Sequence, residues 1–325
     1  MTTFLCLSHR HGLLPIANIL QKEGHIVEHI PWRSQYGRAW EGSIETTPKE
    51  FNRRTKEEFA PLIEKAQAGE LIVLSDTPKW DPIFGTSQRY YGTSTPTLQR
   101  WVLRLGLWID HEGWWSPHFL VIDPGAFTGA QGLPIDGALT LIHQQPDPNL
   151  FEQVRERLPK HGLAQVHVEI TPEGLIPKAV ESGWHPLHWH AFLAAMGDQA
   201  LGPVLEGKGS PILSKRHAVA VPVTVPPWPN GGGKSVEQPI APMPSEDLNR
   251  IFWHDIRVEN NKLLVAGLDG FVGVAAGVGE SFLVAQRQAL RVAHGIQMGA
   301  RQFRTDAGVL VPTIMASLEE AGLLR

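Results

Sequence analysis

Cysteine is nearly absent from this 325-residue chain: Cys6 stands alone. No internal disulfide can form, which fits a reducing compartment. No apolar run approaches the roughly 18–20 residues that cross a bilayer. Met1–Ser8 has neither the basic start nor the long apolar segment of a signal peptide. An excess of either charge is lacking too: 29 Lys and Arg against 33 Asp and Glu leave a net −4, which gives no electrostatic footprint for duplex nucleic acid. With 42% hydrophobic and 19% charged residues the chain is globular rather than disordered. A cytoplasmic protein is expected. No Gly-x-Ser-x-Gly, His-Glu-x-x-His or Gly-x-Gly-x-x-Gly occurs, so hydrolase, zinc-protease and dinucleotide readings lack support.

What the chain does have is 32 Gly and 26 Pro, which predict many loops, together with 11 Trp and 15 His in clusters. Thr3–Ser8 reads as a strand, Leu13–Lys22 as a helix stopped by Gly24, and His25–Ile30 as a strand. A helix over 50–68 and a strand at Leu71–Leu74 continue the alternation, which predicts a parallel, doubly wound sheet. A helix is expected over Thr97–Leu105, strands at 118–123 and 138–143, and a helix over Asn149–Leu158. Gln165–Thr171 and Leu175–Glu181 flank a Pro-Glu-Gly turn and read as a hairpin. His188–Met196 is helical, His217–Val225 and the segments 262–266 and 270–276 are strands, and Glu280–Gln297 is an amphipathic helix burying Phe282, Ala285, Ala289, Val292, Ala293 and Ile296.

Several motifs bear on chemistry. Gly231-Gly232-Gly233-Lys234-Ser235 ends like a phosphate-binding loop, but Trp228 occupies the required first glycine and Pro239 follows where a helix should start. His185, His188 and His190 lack an acidic or thiol neighbour at metal spacing, so they read as packing or surface histidines. Glu169, Glu173 and Glu181 lie on the hairpin, where they either place two carboxylates on adjacent strands to hold Mg²⁺ between nucleotide phosphates or form a solvated hairpin edge. Arg304 and Asp306, two apart, either brace a turn or aim a guanidinium at a phosphate or carboxylate. The aromatic residues Tyr90, Tyr91, Trp101, Trp114 and Trp115 either fill core or stack on nucleobases.

The C-terminal third, from Ala218-Val219-Ala220-Val221 through His254, Lys262–Gly267, Val272-Gly273-Val274 and the helix Glu280–Ile296 to Arg304-Thr305-Asp306-Ala307-Gly308, keeps a specific order and spacing. In that order it resembles the last domain of the glycinamide ribonucleotide synthetase (phosphoribosylamine–glycine ligase) family, which belongs to the ATP-grasp superfamily. Upstream, Ser8-His9-Arg10-His11-Gly12 is similar to the family's turn after the first strand, Phe127–Gly132 to its Asn-Thr-Gly-Gly-Met-Gly loop, and Pro177–Glu181 to the strand ending in its Glu-x-Asn. The resemblance implies an α/β protein in three parts: a Rossmann-like domain over 1–95, a truncated ATP-grasp core over 96–205 and a mixed β/α domain over 206–325. It implies Arg10, Arg304 and Asp306 as catalytic residues and Thr128, Gly129, Gly132 and His254 at the substrate. Glu181 would hold Mg²⁺, and ATP would be the cofactor.

The sequence departs from the family at telling places. Between Gly92 and His118 there is no lysine and no glycine-rich loop of the kind that holds ATP phosphates. Gly183 replaces the Asn of Glu-x-Asn, and Leu268-Asp269-Gly270 replaces Gly-Gly-Arg. Three readings stay open. The first is an ATP-dependent ligase joining a glycine-like amino acid to an amine or to a phosphorylated nucleotide or sugar. The second is an ATP-independent amino-acid transferase acting on an activated nucleotide or DNA base. The third is a non-catalytic binding protein on the same scaffold.

Overall fold

The structure is a computed structural model and describes residues 1–8, 12–31, 56–75, 88–90, 103–110, 113–115, 119–122, 127–128, 134–135, 139–143, 152–158, 162–171, 174–182, 186–209, 211–213, 217–228, 237–266, 270–308 and 311–320. Strands β1 (Thr3–Ser8), β2 (Ile26–Pro31), β3 (Leu71–Ser75) and β4 (Gln88–Tyr90) run parallel in the order β4-β3-β1-β2. A strand buried on both sides must be apolar throughout, and Phe4-Leu5-Cys6-Leu7 is. Helix α1 (Leu14–Lys22) turns Leu14, Ile16, Ala17 and Leu20 toward Phe4 and Cys6. Helix α2 (Lys56–Gln67) places Phe59 against Leu5, Leu7 and Val73 on the other face. Gly24 ends α1 at φ +85°, a backbone conformation that only glycine adopts cheaply, and the N–H of His25 returns to the carbonyl of Leu20. The doubly wound start is as its βαβ pattern predicts.

The sheet does not stop there. Strands β5 (Leu103–Asp110), β6 (Gly113–Trp115), β7 (Phe119–Ile122), β8 (Phe127–Thr128), β9 (Pro134–Ile135) and β10 (Leu139–His143) follow. Next come β11 (Gly162–Thr171) and β12 (Gly174–Ser182), an antiparallel hairpin with a bulge at His167/Val168. Then β13 (His217–Thr224), β14 (Pro239–Ile240), β15 (Ile251–Trp253), β16 (Ile256–Glu259), β17 (Lys262–Val265) and β18 (Phe271–Gly279) complete the strands. Hydrogen bonding joins most of them in one path, β15-β18-β13-β10-β7-β5-β11-β4-β3-β1-β2, with β12 on β11 and β6 on β5. β14, β17 and β16 form a separate small sheet. Asn260 and Asn261, both at positive φ, turn β16 into β17, as suits a tight hairpin.

Helix α3 (Pro186–Met196) and the short α4 (Leu201–Leu205) cover one face of the sheet, with Trp189 and Phe192 in the same core as Ala218 and Ala220. A further short helix, α5 (Ser245–Leu248), precedes β15. Helix α6 (Phe282–Gly295) covers the opposite face, seating Ala285 and Ala289 with Val219, Val221 and Val166. The five predicted apolar positions from Phe282 to Ala293 are buried, Ile296 is buried just past the helix, and the Ser281 hydroxyl accepts from the N–H of Val284 as N-cap. Helix α7 (Val311–Glu320) ends the described chain.

Two helix expectations are corrected. Residues 103–105, assigned to a helix over Thr97–Leu105, begin β5; the rest of that span lies outside the described residues. Leu103, Leu105, Leu107 and Ile109 alternate with Arg104, Gly106 and Trp108, a period of two that suits a strand between β7 and β11. Over the described part of 149–158, Glu152 is helical and Arg155–Arg157 form a 3-10 turn, so the expected helix does not run on to Leu158. Pro159 holds Leu158 in extended backbone, so no helix can carry through it.

The packing of α6 on β18 is unusually close. A Cβ added at Gly277 would lie 2.2 Å from the Ala285 carbonyl oxygen and 2.4 Å from the Ala289 nitrogen, both backbone atoms. Gly277→Ala is therefore expected to push α6 off the sheet and destabilise the chain by about 1–3 kcal/mol, read as a lower urea midpoint.

Candidate functional site

Three polar loci punctuate this apolar frame. The first is the carboxyl edge of the parallel strands. β1 is apolar until its last residue, Ser8, which is fully buried. Its hydroxyl lies 2.5 Å from Nε2 of His29, itself 4% exposed. Register explains the meeting: Cys6 pairs with His29, so Ser8, two residues on, shares that face of the sheet. Ser75 ends β3 in the same fashion, buried, paired with Leu7. The chain goes from β1 to β2 on one side and returns to β3 on the other, so β1 and β3 flank the point where strand order reverses. Ligands of open α/β sheets gather at such a carboxyl-edge switch point.

The second locus is the hairpin. Gln165 and His167 on β11 are buried, with side-chain nitrogens 3.3 Å apart. Glu181 pairs in register with Gln165, and Ala179 with His167. Glu169 sits four residues further along β11, about 13 Å at strand rise, and its carboxylate pairs with Lys178. The two carboxylates therefore do not share a row. Mg²⁺ takes hard oxygen ligands and is usually held by one or two carboxylates together with substrate phosphates. Among the described residues no three His, Cys, Asp or Glu converge on a metal position.

The third locus belongs to the C-terminal part. His254 is 4% exposed, and its Nε2 lies 3.0 Å from Nε2 of His190 on α3, which is fully buried. Phe252 packs on the His190 ring, Phe271 on the His254 ring, and Trp228 on Phe271. His190, read from sequence as a packing or surface histidine, is thus a core residue whose partner comes from 64 positions away. Beyond it, Arg304 donates from Nε and Nη2 to the two carboxylate oxygens of Asp306, at 2.9 and 2.5 Å. Gln302 exchanges backbone hydrogen bonds with Thr224 on β13, and Gln286 of α6 donates to the Ala307 carbonyl, which fixes that segment against the sheet. The hydrogen bonds from Arg304 hold the Asp306 carboxyl below its ordinary range, against a smaller opposing effect of burial.

Of the residues expected at a site, Arg304 and Asp306 are in direct contact. His254 contacts His190 rather than another expected site residue. Thr128 lies on β8, in register with Pro134 of β9, and Glu181 lies on β12. Arg10, Gly129, Gly132 and the Gly231–Ser235 loop lie outside the described residues. Ser8 with His29 is the pair that sequence reasoning missed. Its one sequence signal is a hydroxyl ending an apolar strand.

No family model and no curated protein sequence matches the chain. Solved structures do. Phosphoribosylamine–glycine ligase from Thermotoga maritima overlays with TM-score 0.54 at 13% identity, covering 94% of this chain and 100% of that one. L-amino acid ligase from Bacillus licheniformis gives 0.53 at 9% identity over 92% and 98%. Urea carboxylase from Kluyveromyces lactis gives 0.57 at 10% identity over 98% of this chain, which spans 32% of that longer one. The fold is that of the ATP-grasp enzymes: an α/β chain with Rossmann-like parallel strands, a shortened core and a mixed β/α end.

Two outcomes follow from the third locus. Because the folded Asp306 carboxyl is held low, the stability it adds is present above the unfolded carboxylate range and is lost as pH falls through the folded value. Arg304→Gln should return the Asp306 titration toward its reference of 3.8, visible in a ¹³C NMR pH series. His190→Ala and His254→Ala should each cost about 1–3 kcal/mol by removing the buried hydrogen bond between them. The double variant should cost less than the two together, measured by urea unfolding.

Proposed function

We propose that the chain is a ligase-type enzyme that joins a glycine-like amino acid to an amine or to a phosphoryl-bearing nucleotide or sugar phosphate. The observation that carries this reading is the full-length overlay on two enzymes whose names state the joining of an amino acid, phosphoribosylamine–glycine ligase and L-amino acid ligase. The resemblance in the C-terminal third is independent support, since it rests on ordered motifs rather than on shape. In this reading Arg10 and Arg304 hold the anionic substrate, with Asp306 a catalytic residue beside Arg304. Thr128, Gly129, Gly132 and His254 belong to the acceptor side, and Glu181 to the cofactor. A guanidinium suits that work because it binds carboxylate or phosphate through two parallel hydrogen bonds.

A second reading has a specific observation behind it. Glu181 pairs in register with Gln165 rather than with a second acidic residue, and the stretch from Gly92 to His118 carries no lysine. Charges that would stabilise a transferring phosphoryl group are thus few. An ATP-independent transfer, in which an amino acid displaces phosphate from an already activated nucleotide or nucleic-acid base, uses the same cleft without them.

The deciding measurement is thermal unfolding with and without Mg-ATP, followed by incorporation of labelled glycine. Ligand at 100 times its dissociation constant stabilises the folded state by about 2.7 kcal/mol, a clear rise in midpoint. A rise that Glu181→Ala removes, with ADP released on glycine transfer, is the outcome expected of the ATP-dependent enzyme. No rise at millimolar Mg-ATP, with phosphate released from a phosphorylated acceptor, selects the second reading. No transfer to any acceptor overturns both.

A further inference from the structure

Residues 296–308, which follow α6, form neither helix nor strand, yet they are tied to the frame along their length. Arg301 donates from Nη1 to the carbonyls of His294 and Ile296 at the end of α6. Gln302 exchanges both backbone hydrogen bonds with Thr224 on β13, at 2.8 and 2.9 Å. Phe303 packs against both large cores. Ala307 is fully buried, and its carbonyl accepts from Nε2 of Gln286 on α6 at 2.5 Å. Arg304 and Asp306 are the only charged residues between Gln302 and Ala307, and they cannot supply this order themselves. The side chain of Asp306 is 57% exposed and that of Arg304 19%. An ion pair so open to water contributes little, because screening and side-chain entropy offset the Coulomb gain. Its two-bonded geometry is therefore set by the segment that carries it, and one end of that segment hangs on a helix side chain. α6 lies on β18 so closely that a Cβ at Gly277 has no room, so Gln286 starts from a fixed height above the sheet.

We propose that Gln286 is a positioning residue for Arg304: by holding the Ala307 carbonyl it sets the direction in which the guanidinium meets the anionic group of a substrate. The inference rests on the reading that Arg304 binds that group, and Gln286 acts only through the turn. With one edge of the guanidinium on Asp306, its plane is set, and with it the directions of the remaining N–H groups. Such preorganisation matters because a bidentate contact with carboxylate or phosphate tolerates little misalignment. Gln288, two residues on, has a different task on the same helix. Its Oε1 accepts from the N–H of Val278 and from Nη1 of Arg250, at 2.7 and 3.1 Å. None of its hydrogen bonds among the described residues reaches the turn.

The test compares Gln286→Met with Gln288→Met in the full chain, since each removes an amide and keeps the length of the side chain. Urea midpoints are recorded for both, and the Asp306 carboxyl is titrated by ¹³C NMR. Arg304 holds that carboxyl below its ordinary range, so its titration reports on the pair rather than on global stability. Gln286→Met should move the titration upward, in the direction of Arg304→Gln but by less. Gln288→Met should leave it at the wild-type position even where it lowers the midpoint as much. In transfer of labelled glycine to a sugar-phosphate acceptor, Gln286→Met should raise one KM roughly tenfold, as for a weakened charge-assisted contact, with kcat within about twofold. A rise for glycine assigns a carboxylate to Arg304, and a rise for the acceptor assigns a phosphate. An Asp306 titration unchanged by Gln286→Met, or moved equally by Gln288→Met, overturns the positioning role and leaves the ligase reading in place. So does glycine transfer in which neither KM rises. A wild-type chain that transfers no amino acid to any acceptor overturns the ligase reading, and the titration still decides whether Gln286 orients the pair.

Discussion

The register of β11 is the constraint on which the rest of the molecule depends. This strand pairs with β5 over seven positions, with β12 along the hairpin, and with β4 through Gly162 and Tyr90. It is thereby the seam between the parallel strands at one end of the sheet and the antiparallel strands at the other. Its alternation serves both faces. Ala164, Val166 and Val168 join the core under α6, whereas Leu163, Gln165 and His167 lie on the opposite face. A slip of one residue would exchange those faces and bury the wrong set. It would also move Gln165 away from Glu181, so fold and hairpin chemistry are specified by one alignment.

The distribution of buried polarity follows from that frame. An apolar sheet covered by helices tolerates polar side chains best where partners are at hand, and four such places stand out. Ser8 meets His29, Gln165 meets His167, His190 meets His254, and the nearly buried Arg257 lies between Glu237 and Glu259. Three of these join residues of different elements, and the strand ends and the strand β11 take most of them.

How much of this was legible in the sequence depended on range. α6 could be read because Phe282, Ala285, Ala289, Val292 and Ala293 keep helical spacing within one segment. The hairpin could be read because Pro172-Glu173-Gly174 separates two alternating runs. β5 was misread because Leu103 and Leu107 are also four apart, a spacing that a helix shares, and only the neighbouring strands decide between the two. Arg304 with Asp306 was visible as a pair two residues apart. His190 with His254, and Ser8 with His29, were not, since 64 and 21 residues separate the partners. Parallel register and helix packing bring them together, and no local pattern announces either.

One small contact has a consequence for how the chain is made. The carboxylate of Glu23, just past α1, accepts hydrogen bonds from the N–H groups of Leu201 and Gly202 at 2.7 and 2.8 Å, capping α4 from 178 and 179 positions away. A chain leaving the ribosome carries the first partner long before the second is synthesised. Its parallel strands also wait for β11 to cover the open side of β4. The amino-terminal portion, although it has the layout of an independent unit, would spend translation with an unused carboxylate and an open edge. Such exposed edges invite pairing with other chains. Expression of fragments cut before residue 201 should therefore favour aggregates, with soluble material returning once α4 is included.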